Sequence, residues 1–60
     1  MGLFEVDDEK LKGLYHRAWV ESGCGFVDPR KYSYLNHAIM QYAREHGCSY
    51  DKALMIAKGI

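Results

Sequence analysis

Proline occurs once in this sixty-residue chain, tryptophan once and cysteine twice, and neither sign of charge is in excess. Each scarcity excludes something. With Pro29 alone there is no proline-rich linker, and no repeat or low-complexity tract divides the chain. No apolar run approaches the ~18 residues of a membrane-spanning helix, so no membrane association is expected. Eight basic residues balance eight acidic ones. A chain without surplus positive charge is a poor non-specific binder of nucleic acid, which rests on phosphate neutralisation, although a local basic face remains open to it.

The opening "MGLFEV" has neither the basic stretch nor the cleavage site of a signal peptide. Gly2 would suit myristoylation, but that signal wants Ser or Thr where Val6 stands. A cytoplasmic location is therefore expected. In a reducing compartment Cys24 and Cys48, each preceded by glycine, are expected as free thiols.

Metal and catalysis find little support in the residue pattern. His46 and Cys48 form one close pair, with a single residue between them. Structural zinc usually sets paired ligands two to four residues apart at both ends of its site. No metal and no other cofactor is expected. Cys and His occur without the arrangement that marks a nucleophile and its base. Asp7, Asp8 and Glu9 cluster where helix capping already explains them. Ser49 and Lys52 match S-x-x-K formally, yet that motif works inside a large domain that is missing here. The expectation is a protein that is not an enzyme.

What the chain does hold is 48% apolar and 27% charged residues, the balance of a globular fold. Sixty residues make one domain, 1–60, whose core buries only roughly 60% of the unfolded surface. Asp7 is a good N-cap, and Asp8 and Glu9 favour the positive end of a helix dipole. Val6 and Leu11 fit a hydrophobic staple across that cap. Leu11, Leu14, Tyr15, Ala18 and Trp19 then repeat at helical spacing and make one apolar face, expected to turn to the core, and Gly23 suits a left-handed C-terminal cap. Gly13, inside this helix, would allow another backbone to approach closely.

Phe26 and Val27 are expected to plug the end of the core. Asp28-Pro29 reads as the start of a second helix, with Ser33 as a competing start one turn later. Tyr32, Leu35, Ala38, Ile39, Tyr42 and Ala43 fall on its inner arc. Gly47 stops it after His46. Ser49 caps a third helix with Tyr50, Ala53, Leu54, Ile56 and Ala57 inward and Asp51, Lys52, Met55 and Lys58 outward. The expected fold is all-α, a small three-helix bundle with a helical hairpin at Gly47. The preceding "LFEV" could be extended, though with no partner strand in the chain.

Ala43 and Gly47 stand four residues apart, with Ser49 as cap and Ala53 and Ile56 as apolar locks. A DNA-reading helix-turn-helix needs that spacing, and a plain helical corner uses the same residues. The outward side chains separate the two. Lys52, Lys58 and Arg44 would be the DNA contacts, but Asp51 would face phosphate unfavourably.

The stretch "HAIMQYAREHGCSYDKALMIAKG", residues 37–59, resembles helix-turn-helix-like segments of small bacteriophage-encoded proteins through its A-x-E-H-G-x-x-Y-x-x-A-L pattern. It covers less than half of the chain. The resemblance implies a phage or prophage origin and no particular activity, and it carries no functional residue over.

Aromatic content is the remaining signal: five Tyr, two Phe and one Trp. So small a core cannot hide all of them, and Tyr, Trp, Met and Arg are the side chains enriched in protein–protein contacts. Tyr34 and Met40 lie off the inner arc of the second helix, with Arg30, His37 and Arg44 as polar flanks. The expected function is a non-enzymatic module that binds a protein partner or a second copy of itself through these five residues. The alternative is a helix-turn-helix DNA-binding regulator.

Overall fold

The computed structural model describes residues 6–59. Within them the chain forms α1 (Asp8–Glu21), a short 3-10 turn (Pro29–Lys31), α2 (Ser33–His46) and α3 (Tyr50–Lys58). Each helix packs against the other two, which makes a small three-helix bundle.

Local chemistry sets most of the boundaries. The Asp7 carboxylate accepts the Lys10 N–H at 2.8 Å, the hydrogen bond of an N-cap. Ser49 does the same for Lys52 at 3.1 Å. Gly23 and Gly47 both adopt left-handed backbone, φ 88° and 64°, and close α1 and α2.

The core is built from Val6, Leu11, Ala18, Val27, Leu35, Ile39 and Tyr42, with four further alanines, Ala38, Ala43, Ala53 and Ala57, buried among them. Ala53 and Ala57, a turn apart on α3, are both buried. Small residues there let α3 lie close against its neighbours. Val6 and Leu11 share this cluster, as the staple requires. The Tyr42 hydroxyl donates to the Asp8 carboxylate, and its ring stacks on His46 at 4.0 Å.

Four expectations are corrected. Phe26 does not plug the core: it is 86% exposed, and Val27 alone turns inward. Trp19 is not a core residue either, at 37% exposed. At about 100° per residue it lies a full step round α1 from buried Ala18, on the edge of the stripe rather than within it. The start signal at Asp28-Pro29 is obeyed only locally. Asp28 accepts the Arg30 N–H at 3.1 Å, but the turn stays 3-10 and Tyr32 reverts to extended backbone, φ −116° and ψ 94°. The α-helix therefore begins at Ser33. Gly13 serves no close approach, since a Cβ built on it would meet nothing within 4 Å. Of the "LFEV" segment only Val6 lies within the described residues.

Candidate functional site

The corner between α2 and α3 positions the site. The left-handed turn at Gly47 places Tyr50, the first residue of α3, back beside α2. There its hydroxyl donates to Asn36 Oδ1 at 2.7 Å. Burial of this phenol pushes its pKa up. Asn36 in turn donates its amide to the Met40 sulfur at 3.6 Å. Arg30 reaches the same place from the 3-10 turn.

These residues enclose an open groove of about 490 Å³ lined by Arg30, Asn36, Met40, Ala43, Arg44 and Tyr50. Buried Ala43 forms its floor, and Met40, 45% exposed, forms its apolar wall. A second, smaller depression of about 270 Å³ adjoins it, lined by His37, Met40, Gln41, Arg44 and Glu45. Met40 and Arg44 belong to both. Glu45 is held by the Gln41 amide at 3.0 Å and the Val6 N–H at 3.4 Å. The Gln41 bond is the main reason its carboxyl titrates below the ordinary range, with the Val6 bond second.

Four of the five residues expected to bind protein thus meet along one side of α2: Arg30, His37, Met40 and Arg44. Tyr34 does not join them. It is half-buried and packs against the core. Its hydroxyl donates to Glu21 Oε1 at 2.7 Å. The Arg17 guanidinium lies 5.0 Å from its ring centre, and Tyr32 meets the ring edge-on at 6.0 Å. Arg17 and Glu21 are themselves paired at 3.6 Å. Burial and the Glu21 bond both raise the Tyr34 pKa. Tyr34 ties α1 to α2, so the premise that it stands free of the core is corrected.

The basic residues of the alternative reading are dispersed. Arg44 opens onto the α2 grooves, Lys58 lines a third groove between α1 and α3, and exposed Lys52 lines none of these three. Asp51 stands in the first turn of α3. Base-edge readout wants such side chains converging from one helix face.

Sequence reasoning missed Asn36 and Tyr50, whose pairing depends on how tightly the corner closes. It also missed the α1–α3 groove, because Trp19 was assigned to the core. The available signal was the spacing of Lys12, His16 and Trp19 along one side of α1.

Among the described residues no three of His, Cys, Asp and Glu gather as a metal site. Cys24 is exposed and Cys48 half-buried, both as free thiols. No described helix is long and apolar enough to cross a membrane. The α2 grooves offer guanidinium and amide donors around a thioether, with no Ser, Thr or Cys nucleophile among the described residues that line them. The chain matches no protein-family model, no curated protein and no solved structure.

Proposed function

We propose that this protein is a non-enzymatic binding module that occupies the surface of another protein through the outward side of α2. One observation carries the reading: Arg30, Met40 and Arg44 converge on a single groove whose described lining includes two arginines and no carboxylate. An apolar side chain in one groove with two arginines complements a segment that presents an apolar side chain flanked by Asp or Glu. Arginine suits that recognition because its planar fork pairs with carboxylates through two hydrogen bonds. Such a role fits a small accessory or inhibitor protein, which needs a surface rather than a catalytic pocket.

Affinity capture from a bacterial lysate tests the reading when wild type is compared with Met40→Asp and Arg44→Glu. Central anchors commonly contribute ~2 kcal/mol or more, roughly a thirty-fold change in affinity. A specific partner retained by wild type should be lost with either variant while the helical circular dichroism stays unchanged. Identical recovery by all three proteins would place the binding surface elsewhere.

A further inference from the structure

On the side of α1 that faces the end of α3, Lys12, Tyr15, His16 and Trp19 succeed one another at helical spacing. They border a separate open groove of about 380 Å³ completed by the end of α3, including Ala57 and Lys58. Its size falls at the lower end of the range for small-molecule sites. The indole of Trp19 stacks with the His16 imidazole, ring centres 5.9 Å apart and planes inclined by 27°. Trp19 remains 37% exposed, so a π-face is left available at the edge of the core. Ala57, buried beneath, has no side chain beyond Cβ to fill the slot.

Two lysines line this slot, Lys12 from α1 and Lys58 from α3, and none of the described residues that line it is acidic. Flat aromatic faces with lysines on two sides suit a planar ring that carries negative charge. Lysine holds phosphate as a point charge, and every nucleobase has a face that stacks on an indole. A carboxylate-bearing peptide would be better served by the arginines of the α2 groove, where the planar fork is available.

We propose that the α1–α3 groove binds a nucleoside phosphate unit, its base stacked on the free face of Trp19 and its phosphate held between Lys12 and Lys58. The unit is either a free nucleotide or one unpaired nucleotide of a single strand. Both present the same base and phosphate, and the site is independent of the α2 groove and its partner.

Trp19 is the sole tryptophan of the chain, so its emission reports on this groove alone. The protein is titrated with adenosine 5′-monophosphate and, separately, with a short oligodeoxyadenylate, exciting the indole where adenine does not absorb. Saturable quenching is expected. Saturation by the mononucleotide identifies a free nucleotide as ligand, and saturation by the oligonucleotide alone identifies an unpaired strand. Lys12 and Lys58 are both exposed. The double variant Lys12→Gln/Lys58→Gln should therefore keep the helical circular dichroism and the unliganded emission while weakening binding ~10-fold or more. The proposal is overturned if neither probe quenches, or if the double variant is quenched as strongly as wild type. It is equally overturned if the emission tracks protein concentration without any nucleotide, which would make the groove a self-association surface.

Discussion

The dipeptide Gly-Cys ends two of the three helices. At the end of α1, Cys24 donates its N–H to the Trp19 carbonyl at 2.9 Å, and at the end of α2, Cys48 donates to Ala43 at 3.0 Å. Both bonds reach back five residues, and both come after a left-handed glycine. Beyond that point the two connections part. Cys24 itself takes a left-handed φ of 62°, is exposed, and leads into a loop that leaves Phe26 in solvent. Cys48 is half-buried against the core and leads within two residues into α3. The same dipeptide makes the same cap. The path of the chain after the cap is decided by whether the next residues have a capping side chain and an apolar face to bury, as Ser49, Ala53 and Ala57 do.

The largest contrast should come from packing. Ala53→Leu forces a larger side chain into the fully buried second corner and should cost about 1–3 kcal/mol. Phe26→Ala removes a whole ring at the first connection and should change stability by less than about 0.5 kcal/mol. Chemical denaturation of the two variants checks both, and equal losses would erase the distinction between the corners.

Gly47→Val comes next, at roughly 1–2 kcal/mol, because a β-branched residue is strained in left-handed backbone. Gly23→Val should cost less than half as much, since the exposed loop after it can relax. A melting curve unmoved by Gly47→Val would mean that the corner does not need its positive φ.

The two cysteines sharpen the comparison through opposite signs. Cys24→Gly relieves left-handed strain, partly offset by the entropy glycine adds to the unfolded chain, and should stabilise by about 0.5 kcal/mol. Cys48→Gly loses packing and gains the same entropy penalty, so it should destabilise by about 1 kcal/mol. Shifts of like sign would contradict the assignment of strain to Cys24.

A pH slope should be the smallest signal. The Tyr42 hydroxyl, bonded to the Asp8 carboxylate and shielded from solvent, has its pKa pushed up to about 12. The folded state then keeps a proton that the unfolded chain releases near 10. This contribution is complete below pH ~10 and is lost as pH rises towards ~12. Thermal melts across that interval should fall more steeply for wild type than for Tyr42→Phe.

The caps and corners were legible because they are local. Asp7, Ser49, Gly23 and Gly47 each do their work through backbone groups within five residues. The edges of the helix faces were not. Helical periodicity marks a stripe about 100° wide but does not say which edge another helix will cover. Trp19 and Tyr34 both sit on such edges: the first was left half open beside α3, and the second was closed over by Glu21 and Arg17. Phe26 went astray for a related reason, because hydrophobicity says that a residue benefits from burial, not that space exists for it. Arg30, His37, Met40 and Arg44 were readable as outward-facing. Their convergence with Asn36 and Tyr50 was not, since it depends on the closure of the second corner.

That closure shapes the proposed binding groove, and backbone amide shifts test it most directly. With the captured partner added to isotopically labelled protein, the largest perturbations should fall on Arg30, Asn36, Met40, Ala43, Arg44 and Tyr50, with Phe26 and the end of α1 unmoved. Perturbations centred on α1 or on the loop after Gly23, with those six residues silent, would contradict the account.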